Sequence, residues 1–222
     1  MDKLDKIETR DLFDNIPSML IPLFKDTVYP WEVIPRIKEY IKFLVSSGLC
    51  GYREIDKDVF VGENVKIDES VKIIPPAIIG RGTEIRQGAY LRGNVIISDN
   101  CVIGNSTEVK NSVIFNNAAC PHYNYIGDSI IGSYAHLGAA AICSNLKSDK
   151  TDIYVKGNKK YQTGLKKLGA ILGDRAEIGC GCVLNPGTVV GKNTSVYPLT
   201  SIRGVIPADS IVKDRDTVIK KI

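Results

Sequence analysis

The chain is 222 residues long, 44% apolar and 24% charged, with a formal net charge of +4. That balance excludes a disordered chain, and so small a positive excess does not by itself signal nucleic-acid binding. Aromatic residues make up only 7% while glycines number 20, so the core must be built from aliphatic and small side chains.

The opening MDKLDKIETRDLFD mixes both signs of charge without an apolar run, so it does not read as a secretory leader. Leu12 to Phe24 is interrupted by Pro17 and Pro22 and reads as short helical pieces. Ile34, Ile37, Ile41, Leu44 and Val45 then recur at helical spacing, with Pro35 in the first turn and Gly48 at the end. This predicts an amphipathic helix of about four turns. Residues 1–58 hold too little apolar material for a core of their own, so this N-terminal helical segment is expected to lie against the remainder of the chain.

From Val61 an apolar residue recurs every six positions through Ile67, Ile73 and onward to Phe115, ten in register. Four positions after each stands a mostly small residue, such as Ala77, Thr83, Ala89 and Cys101. The register shifts, returns at Ile131, Leu137 and Cys143, and returns again from Leu172 to Ile202, for nineteen hexads in all. A period of six fits neither an amphipathic helix nor strand alternation. It suits an all-β solenoid in which each hexad is a short strand plus a corner, with the apolar residue inward. Glycines such as Gly62, Gly80 and Gly104 would relieve the bends. Three hexads per triangular turn predict a parallel β-helix of about six coils over residues 59–205, with 206–222 as a tail.

The hexads stop at 144–171, an extruded loop carrying seven lysines against Asp149 and Asp152, a local charge of +5 that leaves −1 for the rest. Such a segment reads either as a solvated surface loop or as a functional loop suited to sugar phosphates or coenzyme A. The longest uncharged stretch, Ser129 to Leu146, contains polar residues and continues the repeat, which argues against a membrane span. Six cysteines lack disulfide-like spacing, Cys180-Gly-Cys182 is too tight for the usual zinc pair, and there are two histidines. Reduced thiols, a cytoplasmic location and no metal site are expected. His136 precedes the inward Leu137 and reads as a corner residue. His122 lies where the register breaks, and reads either as structural or as a base needing only a neutral imidazole and a substrate nucleophile.

LRG (91–93), IGNSTEVKNS (103–112), PHYNYIGDSIIG (121–132) and the bracket from SNL (144–146) to KKLGAILGD (166–174) together resemble one family. It is the left-handed β-helix (hexapeptide-repeat) acetyltransferase domain of the bifunctional glucosamine-1-phosphate acetyltransferase/N-acetylglucosamine-1-phosphate uridyltransferases. The archaeal-type sugar-1-phosphate nucleotidylyltransferases with acetyltransferase tails are the closest in kind. The resemblance implies left-handed coiling, an exception to the usual crossover rule. It also implies acetyl-CoA as acyl donor and a homotrimer with active sites between neighbouring prisms. His122 then matches the general base, and Arg92, Lys110 and Lys167 match positions that bind the sugar phosphate. Tyr125 and Asn145 match residues that hold the sugar or position its amine. His136 falls in the same substrate-binding set, where the bacterial enzymes usually carry asparagine. Ala139 matches a residue whose backbone N–H faces the thioester, and Cys180 and Pro198 match the coenzyme A groove. Leu146 stands where the bacterial family has an aromatic residue, and Ala119 and Cys120 replace a lysine ahead of the histidine. No Gly-rich nucleotide loop opens the chain, so a uridyltransferase domain is not expected.

The function this implies is acetyl transfer from acetyl-CoA to the amine of glucosamine-1-phosphate or galactosamine-1-phosphate. An acyltransferase on another nucleotide sugar or a sugar hydroxyl, and a non-catalytic trimeric scaffold, stand as alternatives. A zinc carbonic anhydrase on a similar solenoid would need three histidine ligands.

Overall fold

The computed structural model describes residues 5–221. One continuous apolar interior is lined by fifteen successive inward residues from Val61 to Cys143 and eight more from Leu172 to Val212. Each belongs to a strand of two to four residues, and the strands stack in three parallel sheets around that interior. The first face contains Ala77–Ile79, Val95–Ile97 and Ser112–Ile114; the second contains Val102–Asn105, Ala119–His122 and His136–Leu137; the third contains Tyr90–Arg92, Glu108–Lys110 and Tyr125–Gly127.

The period of six therefore yields the parallel solenoid expected, but the stack is deeper than six coils. Two faces are eight parallel strands deep, each with one antiparallel strand added at an end, and the third is seven. The shortfall has a local cause. Spacing contracts from six to five between Val109 and Ile114 and between Ile126 and Ile131, which conceals the rungs of Cys120 and Ile126. Ile206 and Val212 fill two further rungs beyond the last hexad read from the sequence. Phe115 is also not an interior residue: Ile114 takes that place and Phe115 faces outward. Tight corners separate the strands, and Gly104 is required within Val102–Asn105, not at a corner, because a Cβ there would collide with the Pro121 carbonyl of the next coil.

The first face is buried on both sides. Its outward residues Ile78, Ile96, Val113 and Phe115 pack against Phe13, Phe24, Trp31, Ile37 and Ile41 of the N-terminal segment. Phe13 and Phe24 meet the Phe115 ring at centroid distances of 4.7 and 5.6 Å. Short helical pieces, Thr9–Leu12, Ser18–Leu20 and Ile21–Phe24, precede the 3-10 stretch Pro30–Arg36 and the helix Ile37–Ser46. That helix is shorter than four turns because Pro35 lies in the 3-10 stretch, where its missing N–H breaks no α-helical bond.

Polar groups fasten the same segment. The buried Asp174 accepts the backbone N–H groups of Asp14 at 2.7 Å and Ser133 at 2.8 Å. Asp14 in turn pairs with Arg175, and with Lys192 at 2.6 Å. The basic insertion is only partly extruded. It forms the hairpin Tyr154–Lys156/Lys160–Gln162, which buries Val155 and Tyr161 in the cluster under the N-terminal segment. Antiparallel strands flank the stack: Arg53–Asp56 pairs with Val59–Val61 on the first face, and Val218–Lys220 with Ser210–Val212 on the second. No helix among the described residues is long and apolar enough to cross a membrane.

Candidate active site

Apart from His136, the residues singled out by sequence fall on two edges of the third face. His122 ends its second-face strand, at the edge where the chain turns into the third face. The Ala140 N–H donates to the His122 carbonyl, the Gly181 N–H to that of Ala139, and the Leu199 N–H to that of Cys180. These bonds stack His122, Ala139, Cys180 and Pro198 along one edge, coil upon coil. Coil spacing is tight there, since a Cβ on Gly138 would lie 2.7 Å from the Cys180 nitrogen and one on Gly179 2.5 Å from that of Pro198. Among the described residues, the amides of Ala139 and Cys180 donate to no carbonyl, so the edge presents free N–H groups.

Arg92 and Lys110 end neighbouring strands at the opposite edge of this face, where Val109 pairs in register with Leu91 and Lys110 with Gly127. Asn145 and Lys167 flank the basic insertion at the same edge, which the Leu168 N–H closes by donating to the Asn145 carbonyl at 3.0 Å. Three cations thus gather at one end of the third face. Arg92 is already paired: its guanidinium donates to the Glu108 carboxylate at 2.5 Å, which pushes the guanidinium pKa up.

Tyr125 bridges the two edges. Its strand begins on the His122 side, yet its hydroxyl reaches over Gly127, where a Cβ would lie 2.7 Å from both that oxygen and Asn145 Nδ2. Burial, reinforced by the charges of Glu108 and Asp128, pushes the phenol pKa up and keeps its proton on at neutral pH. The strand separating the edges is three residues long, or roughly 10 Å at the usual rise per residue. A ligand of sugar size spans that gap.

His136 does not join this group. It lies on the second face, with Nδ1 3.0 Å from Glu177 Oε2 on the adjacent strand. Sequence reasoning assigned no role to Glu108, Glu177 or Asp128. Glu108 and Asp128 lie inside the family motifs, and only contact geometry shows what they touch. Concavities of about 380 and 670 Å³ lie beside the N-terminal segment, lined by Leu49, Arg81 and Asn116 in one case and by Thr9, Phe13 and Thr27 in the other. The candidate site is an open face, not either of these hollows.

The chain is thus a three-faced parallel solenoid built on hexads, with a histidine and cations at its edges. Residues 73–159 match the family described as the GMPPB C-terminal domain. The motif resemblance is borne out by homology to archaeal bifunctional proteins. The chain is 34% identical over 107 residues to the bifunctional protein GlmU of Methanococcus maripaludis, covering 48% of this chain and 26% of that protein. It is 35% identical over 88 residues to the bifunctional sugar-1-phosphate nucleotidylyltransferase/acetyltransferase of Sulfurisphaera tokodaii, covering 39% of this chain and 22% of the relative. The matched stretch thus spans about a quarter of the length of these relatives. Among solved structures, the chain is similar to AntD, an N-acyltransferase from Bacillus cereus crystallised with dTDP and coenzyme A. That likeness has a TM-score of 0.46 and 18% identity over 72% of this chain and 82% of the other.

Proposed function

We propose that the protein transfers an acetyl group from acetyl-CoA to the amine of an amino-sugar 1-phosphate, glucosamine-1-phosphate or galactosamine-1-phosphate. The observation that carries this reading is the stacking of His122, Ala139, Cys180 and Pro198 along one edge of the face whose other edge holds Arg92, Lys110 and Lys167. The archaeal relatives support the same chemistry, since one is named as an acetyltransferase.

An edge of small residues with two free N–H groups fits an extended thioester ligand, and acetyl-CoA would supply the activated acyl carbon there. In this reading His122 takes the proton from the acceptor amine as its lone pair attacks. The Ala139 N–H donates to the developing oxyanion, and the proton held by His122 is available to the departing sulfur. Lys110, Lys167 and Arg92 neutralise the phosphate, with Arg92 exchanging Glu108 for it. Tyr125 and Asn145 hold the sugar between the two edges, and Cys180 and Pro198 line the path of the pantetheine arm.

In a left-handed homotrimer with sites between prisms, His136, paired with Glu177 on the second face, would face an acceptor bound against a neighbouring copy. The six free thiols agree with a cytoplasmic location. A thiol-release assay with acetyl-CoA tests the function across glucosamine-1-phosphate, galactosamine-1-phosphate and nucleotide-linked amino sugars. Turnover with either sugar 1-phosphate is expected. Turnover confined to nucleotide sugars would shift the substrate class, and none at all would favour a scaffold.

A further inference from the structure

Asp128 closes the corner after Tyr125–Gly127 and is 5% exposed. No cation pairs with it among the described residues. Its oxygens are instead taken by two side-chain amides: Asn111 Nδ2 donates to Oδ1 at 2.8 Å and Asn145 Nδ2 to Oδ2 at 2.5 Å. Keeping a buried carboxylate without a cation is costly unless donors replace the lost water.

The pairing has a chemical consequence. The Asp128 carboxylate accepts from Asn111 and Asn145 alike, so the NH2 of Asn145, not its oxygen, faces Asp128. Asn145 Nδ2 also lies beside the Tyr125 hydroxyl, since both would stand 2.7 Å from a Cβ on Gly127. With Nδ2 held by Asp128, Oδ1 is the atom Asn145 has left to offer. A hydroxyl beside an amide NH2 turns a lone pair toward it, which leaves the Tyr125 O–H to donate.

We propose that Asp128 is a positioning residue that sets the polarity of this pair, so that Asn145 presents an acceptor and Tyr125 a donor to the sugar. The complementary ligand edge carries an N–H or O–H donor beside an oxygen acceptor, as an amino sugar does at adjacent ring carbons. A site with the amide reversed would present two donors and favour a different edge. The inference rests on the acetyltransferase reading for its ligand, but its structural half can be read without one.

Side-chain amide NMR of the 15N-labelled full chain supplies that reading. The Asn145 NH2 pair is expected to exchange with water at least tenfold more slowly than an exposed asparagine, and to lose that protection in Asp128→Asn. With acetyl-CoA saturating, Asp128→Asn should raise the KM for glucosamine-1-phosphate about tenfold and change kcat by less than about threefold. Tyr125→Phe should raise KM similarly while the Asn145 amide keeps its slow exchange, and this variant leaves the carboxylate in place should Asp128→Asn fail to fold. An Asn145 amide exchanging at the exposed rate in the wild-type chain would overturn the proposal, as would an unchanged KM in a folded Asp128→Asn. Absence of turnover by the wild-type protein would sink the acetyltransferase reading instead, and the NMR result would still decide the orientation of Asn145.

Discussion

Replacing Phe115 by alanine separates the two sides of the first face. The ring is fully buried, and its aromatic partners, Phe13 and Phe24, both belong to the N-terminal segment. Truncating a buried phenylalanine to alanine costs about 3–5 kcal/mol, of which each ring pair supplies about 0.5–1.5 kcal/mol beyond area burial. Because Phe115 points away from the solenoid interior, that loss should fall on the docking of the segment and leave the coils intact. At the lower end it corresponds to about two decades in an opening equilibrium. Hydrogen exchange read by mass spectrometry should therefore show amides in 7–41 exchanging about a hundredfold faster, while those of the third face keep their protection. Ile114→Ala is the control: one residue earlier and pointing inward, it should cost about 2–5 kcal/mol across the solenoid itself. Unchanged protection at 7–41 in Phe115→Ala, or the same pattern in both variants, would refute this division of the face.

His122→Ala should lower kcat by about 10² to 10⁴ with its melting temperature unchanged, whereas His136→Ala should act mainly on acceptor KM; equal effects on kcat in steady-state assays would mean that the base is misassigned. Lys167→Ala should weaken binding of the sugar 1-phosphate by about 1.5–3 kcal/mol in calorimetric titration, and by much less for the unphosphorylated amino sugar. Asp14 is held below the ordinary value of 3.8 by hydrogen bonds from Lys192 and Arg175, so its stabilising contribution is present above that value and lost as pH falls through the lowered one. Thermal melts of wild type and Asp14→Asn should therefore differ at pH 7, draw together as pH falls below 3.8, and coincide only below the lowered value.

The interior was legible because a six-residue period depends on nothing but the rung. It failed where the chain drops one residue, at Ile114, since the adjacent Phe115 satisfies the same arithmetic, and the rungs of Cys120 and Ile126 were lost with it. The covered face was also written in the sequence. Runs of three apolar or small residues such as Ala77–Ile79 and Val95–Ile97 mark strands buried on both sides, while Lys66–Ile67 and Glu84–Ile85 mark strands with one side in water. At the candidate site, motif order located His122, Tyr125 and Asn145. It did not reveal Asp128, because a Gly-Asp pair at a corner, here with φ of 47° at the aspartate, reads as turn chemistry. Nor did it place His136 on a different face from Tyr125, which depends on how many corners lie between them.

The two reversed strands that flank the stack bear on what the molecule avoids. A parallel solenoid ends in open strand edges on which another copy could continue the coil, as fibrils grow. Arg53–Asp56 lies across the upper edge of the first face and Val218–Lys220 across the lower edge of the second, each running against the winding. A newcomer adding there meets a strand of the wrong direction, so the triangular path cannot be carried on in register. Arg53, Glu54 and Asp56 add charge to one terminus and Lys220 to the other, all exposed. Of the six edges at which the three sheets end, these two are thereby closed to continuation of the coil.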